Sequence, residues 1–193
     1  STGEIQFNSG SSTLDADSNL FWDDTNKRLG IGTALPHHTL HVAATDTSGQ
    51  MAIGAMRTIT GSASDGSGLG FLYFGGSEDS GTTWGHGAGI MSKASQDWVV
   101  GSAQGANLHL QTTTNGAATP STKLMVQQDG NVGIGSEEPT RLLTISSTDQ
   151  TDVTIIAAND QSAQLSFGDP EDDNIARIQY NHATNQMAFR TNA

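Results

Sequence analysis

The stretch Arg28-Leu29-Gly30-Ile31-Gly32-Thr33-Ala34-Leu35-Pro36, closed by Leu40-His41-Val42, returns 103 residues later. The second copy reads Asn131-Val132-Gly133-Ile134-Gly135-Ser136-Glu137-Glu138-Pro139, closed by Leu143-Thr144-Ile145. The apolar, glycine and proline positions keep the same offset throughout, so one structural unit is used twice. Period-two alternation sets Val132 and Ile134 on one side of a strand and Gly133 and Gly135 on the other. Glycine inside a strand weakens it unless another backbone must come close. The glycines at 30, 32, 133 and 135 therefore predict a neighbouring chain or layer against that side, with a partnerless bulged turn as the alternative. Pro36 and Pro139 have no N–H for a ladder and should end pairing and turn the chain.

The residues before each copy supply the other half of a hairpin. Leu124-Met125-Val126 leads through Gln127-Gln128-Asp129-Gly130-Asn131 into Val132. Asp-Gly between apolar runs marks a tight turn, because glycine accepts positive φ. In the first copy Leu20-Phe21-Trp22 and Asp23 to Arg28 take these places.

These motifs carry a resemblance. GxIQFN, SNLFWDDTNKRLGIGTxxP and LHV in the first copy, and LxVxxDGNVGIGxxxP and LTI in the second, resemble the shaft repeats of phage tail fibre and tailspike proteins. Such repeats also occur in phage-like proteins ending in an endosialidase-type intramolecular chaperone. Residues 164–169, 178–182 and 187–192 resemble segments between those repeats, whereas residues 45–70, 75–106 and 146–160 carry no likeness. The resemblance implies an all-β, elongated, repetitive homotrimeric fibre built from short strands and hairpins, β-prism or triple β-helix-like, with little helix. It also implies a virion location after assembly in the host cytoplasm. The expected partners are two further copies of the chain and other virion tail fibre proteins. The chaperone domain and its self-cleavage region have no counterpart here.

Composition agrees with an assembly. Glycine accounts for 23 of 193 residues and hydrophobic residues for only 34%. The apolar runs are short and scattered, as in Gly70 to Phe74, Trp98 to Val100 and Val153 to Ile156. One chain would struggle to build a single core from them, while identical chains in closed symmetry could bury them together. A net charge of −12, with eight Lys and Arg in all, makes nucleic acid a poor partner. The absence of cysteine excludes disulfides and thiol chemistry. No apolar run reaches the roughly 18 residues that a membrane-spanning helix needs, so membrane insertion is not expected. The start at Ser1, inside a motif, points to excision from a longer polypeptide.

Four divisions follow: a first shaft repeat over 1–45, a loop-rich β module with insertions over 46–123, a second shaft repeat over 124–145, and a shorter β module over 146–193. Strand candidates in the first two include 4–7, 20–22, 29–31, 40–42, 52–56, 58–60 and 107–112, with loop chemistry over 61–68. Aligning Phe74 with Phe167 and Leu110 with Phe189 makes the first module 24 residues longer than the second. On that spacing the parent protein should show a third Gly-Ile-Gly run near position 212.

Several residues invite chemical readings. Asp15-Ala16-Asp17-Ser18-Asn19 opens like a calcium loop, but Leu20 and Asn26 stand where glycine and glutamate are needed, so a polar turn is expected. His37, His38 and His41 could meet on a symmetry axis. Their sister positions are Thr140, Arg141 and Thr144, so the fold does not require a metal there, and a surface or inter-chain contact is expected. Asp169 to Asp173 cluster carboxylates without the opposed pair that glycosidase chemistry uses. No catalytic motif, cofactor site or metal set emerges, and an enzyme is not expected, a polysaccharide depolymerase segment being the weakest reading. Trp84, His86 and Trp98 lie in the long passage 75–106 that the second module lacks. Exposed aromatic rings on such loops could contact a host-surface glycan, against the alternative that each tryptophan fills a gap under a loop.

Overall fold

The computed structural model describes residues 4–8, 14–43, 56, 61–77 and 83–191. Among them lie thirteen strands and no α-helix, arranged as three sheets of mostly antiparallel strands. The expected all-β class therefore holds. The candidate strands at 52–56 and 58–60 fall outside the described residues, apart from Met56, which is exposed and in no strand.

The chain divides into two compact units, Ser1–Thr58 and Ile59–Ala193. The first holds β1 (Glu4–Asn8), β2 (Leu14–Asp23), β3 (Arg28–Ile31) and β4 (Leu40–Val42), paired in that order. β2 and β3 form an antiparallel hairpin, while β4 lies parallel to β3. Asp15 to Asn19, expected as a polar turn, instead lie within β2, where β1 supplies pairing at Asp15 and Ala16.

The second unit contains a six-stranded sheet. Its members are β5 (Gly68–Ser77), β6 (Trp84–Ala94), β7 (Ala106–Thr112), β8 (Ser121–Val126), β9 (Val132–Ile134) and β10 (Leu143–Ile145), adjacent in sequence order. β10 again runs parallel to β9. The division between 123 and 124 falls inside β8, so the second repeat continues the sheet of the module before it. β11 (Ser162–Phe167), β12 (Ala176–Asn181) and β13 (Gln186–Arg190) make a separate antiparallel meander. In the alignment of the two modules this meander answers to β5–β7, with Leu165 matching Leu72 and Phe189 matching Leu110.

Strand register sorts the side chains of the six-stranded sheet. One row joins Phe71, Met91, His109, Met125, Gly133 and Thr144 across all six strands. Met91, His109, Met125 and Gly133 in this row are buried. The adjacent row, which the pleat turns to the opposite face, joins Leu72, Ile90, Leu110, Leu124, Ile134 and Ile145. None of these six side chains is buried.

Candidate functional site

The unit that recurs in sequence recurs in geometry. In each copy a strand leaves a hairpin, an eight-residue crossover follows, and the chain returns parallel to the strand it left. Leu29, Gly30 and Ile31 pair with Leu40, His41 and Val42; Val132, Gly133 and Ile134 pair with Leu143, Thr144 and Ile145. The flanking bonds repeat at the same offset. The Leu29 N–H donates to the Thr39 carbonyl (2.8 Å) and the Ala43 N–H to the Ile31 carbonyl (2.8 Å). Their counterparts run from Val132 to Leu142 and from Ser146 to Ile134, both 2.9 Å.

Eight residues are too few for the helix that commonly joins parallel strands, so the crossover lies directly on the strand. A Cβ at Gly30 would strike the Thr33 carbonyl, and one at Gly133 the Ser136 carbonyl. Gly32 and Gly135 adopt φ of +74° and +70°, and a Cβ on them would meet the carbonyls of Ala43 and Ser146. The glycines at 30 and 133 are thus required by the chain's own crossover and those at 32 and 135 by the residue that follows the return strand; a layer does press on them, but from within the same chain. Pro36 and Pro139 are buried at the far side of the crossover. Their carbonyls accept hydrogen bonds from the Arg28 guanidinium (3.0 Å) and the Asn131 side-chain amide (3.3 Å). Thr33 Oγ1 and Ser136 Oγ accept the N–H of Leu35 and Glu138 at 3.1 and 3.2 Å, tying the turn before each proline. Different side chains at sister positions do the same task.

The passage 75–106, expected as long loops, contains the eleven-residue strand β6. Its glycines accommodate neighbours: a Cβ at Gly89 would come within 2.9 Å of the Tyr73 ring. Trp84 and His86 stand on this strand, not on a loop. His86 stacks on Tyr73 with ring centroids 4.2 Å apart and planes 2° from parallel, and Tyr73 stacks in turn on Phe71 at 5.4 Å. Trp84, 67% exposed, begins the strand opposite Ser77. Beside it lies an open groove of about 420 Å3 lined by Gly75 to Ser77, Gly85 to Gly87, Thr113, Ala117 and Ala118. Trp98 lies past the other end of β6, about 33 Å of strand away. It is half-buried, its indole N–H donates to the Gly105 carbonyl (2.9 Å), and its backbone N–H to the Ala63 carbonyl (2.7 Å). Trp98 pins two loops together, so Trp84 and His86 share a place and Trp98 does not join them.

His109 was not singled out by sequence, yet it is the one buried polar side chain among the described residues, 2% exposed. Its Nδ1 is 3.2 Å from Thr122 Oγ1 and its Nε2 has no hydrogen-bond partner. Burial first, and then the Lys93 ammonium, push its pKa down, while Glu137 pulls the other way. The signal for it was its place between Leu108 and Leu110, which set it on the other face of an apolar strand.

The remaining candidates form no reactive site. His37 and His41 ring centroids are 6.0 Å apart, and the His37 backbone N–H donates to His41 Nδ1 at 3.3 Å. No group of three or more His, Asp or Glu stands close enough to hold a metal among the described residues. Asp169 Oδ1 accepts the N–H of Glu171 (3.1 Å) and Asp172 (3.0 Å), so its carboxylate closes its own loop. No protein-family model matches the chain, and no curated protein is significantly similar to it.

Proposed function

We propose that the chain is a structural segment of a homotrimeric phage tail fibre or tailspike, carried on the virion and serving host attachment. The observation behind this reading is the missing core. Among the described residues the buried apolar side chains are Ala63, Met91, Ala94 and Met125, two of them alanines. Burying a large aliphatic or aromatic side chain stabilises by roughly 1.5–3 kcal/mol, too little in total here to offset the entropy of ordering these strands. Three copies sharing their apolar faces would supply the rest. Electron microscopy of the purified chain tests the reading: rods with threefold end views are expected, and compact single-chain particles would overturn it.

A second reading has one observation in its favour, the exposed Trp84 side chain, next in sequence to the residues 85–87 that line the glycine-rich groove. An indole face there could stack on a host-surface sugar ring. Glycan-array binding that is lost in Trp84→Ala supports this; Trp98→Ala, which loosens two loops, serves as the contrast. No binding by the wild-type chain leaves the structural role alone.

A further inference from the structure

Resting on the structural reading above, we infer that copies of this chain meet through one defined face of each sheet, the face carrying the row Leu72, Ile90, Leu110, Leu124, Ile134 and Ile145. That row and the one beside it, from Gly70 through Ser92, Leu108, Val126 and Val132 to Leu143, contain no Asp, Glu, Lys or Arg. A chain with a net charge of −12 repels its own copies, and an uncharged face is where they can approach. Leu72, Phe74, Ile90, Leu108, Leu110, Ile134 and Leu143 are 39–57% exposed. Together they leave on the order of 600 Å2 of apolar surface bare, the upper end for a monomer and most of the roughly 800 Å2 per partner in a stable interface.

The same device recurs in the other sheets. In the first repeat Leu20, Ile31 and Val42 form the sister row. Ile31 and Ile134 are 41% and 42% exposed, and Leu40 and Leu143 are 54% and 57%. In the meander Leu165, Ile178 and Phe189 share a row and are all exposed, whereas Ser166, Arg177 and Arg190 occupy the other face. On the opposite face of the six-stranded sheet the chain's own crossover lies over Gly133 and Met91, His109 and Met125 are buried, while Phe71 and Tyr73 on β5 are 39% and 40% exposed. The occupant is therefore a second copy of the chain, presenting the same apolar rows.

The chain contains no cysteine, so single-cysteine variants of the full chain report on this face directly. Leu110→Cys and Ile134→Cys probe it, and Ser102→Cys, in an exposed turn, is the reference. Native maleimide labelling is measured beside the solution mass of each variant. The expected result is an assembled species in which both probes label about tenfold or more slowly than the reference, with protection lost in urea. An assembled species labelled equally fast at all three sites overturns the face assignment and leaves the structural reading standing. A single-chain mass overturns both readings. Protected cysteines in a single chain would show that its own residues cover the face, and flotation of a single chain with phospholipid vesicles would show a membrane occupant.

Discussion

Glycines that look alike in the sequence do different work. At Gly133 the backbone is ordinary and the obstacle is the Ser136 carbonyl; at Gly135 positive φ and the Ser146 carbonyl act together. Gly116 has φ of +82° with open space around it. Gly133→Ala and Gly135→Ala should each destabilise by roughly 2–3 kcal/mol through strain, whereas Gly116→Ala should cost about 1 kcal/mol from backbone conformation alone. Thermal unfolding followed by circular dichroism checks the ranking, and equal losses at all three would contradict it. His109 gives a prediction in pH. Its folded pKa lies below the ordinary value of about 6.5, so the folded state binds protons less readily than the unfolded chain. Stability is retained above about pH 6.5 and falls as the pH drops from there towards the folded pKa. His109→Gln should flatten that decline in denaturant titrations; an unchanged profile would show that His109 does not drive it.

At the scale of elements, the two hairpins differ by one loop residue. The first has four residues, 24–27, between the paired Asp23 and Arg28; the second has three, 128–130, between Gln127 and Asn131. Both place a positive φ just before the outgoing strand, at Lys27 (56°) and Gly130 (89°). Lys27→Gly should hold or raise stability, by up to about 1 kcal/mol, and Gly130→Ala should lower it by a similar amount. A clear loss in Lys27→Gly would mean that its exposed ion pair with Asp24 matters more than the strain. The hairpins were legible because Asp-Gly and alternating apolar residues are local signals. The parallel return of β4 and β10 was not, since a crossover this short has no sequence signature beyond the glycines it presses on. β6 was hidden for a related reason: Gly85, Gly87 and Gly89 read as loop, but pairing with β5, joined along part of its length by β7, outweighs their weak propensity. Trp98 could be assigned only once its bonds to Gly105 and Ala63 were seen, because no spacing encodes them.

At the scale of the molecule, each sheet carries an exposed aliphatic row, which in the meander shares a groove with the chain's own Val153 and Ile155, while the chain's own crossovers lie over Gly30 and Gly133 on the opposite faces of the other two sheets. Alternation in the sequence foretold the apolar stripes, but which stripe the chain covers for itself depended on where the crossovers pass. A chain built this way holds its strands by backbone ladders and crossover turns and leaves hydrophobic rows exposed, and the proposal is that copies of the chain cover them. Light scattering coupled to size exclusion, across a range of concentrations, tests that most directly. The account predicts a folded species of about three times the 20.1 kDa chain mass, and a folded, soluble species at 20.1 kDa would contradict it.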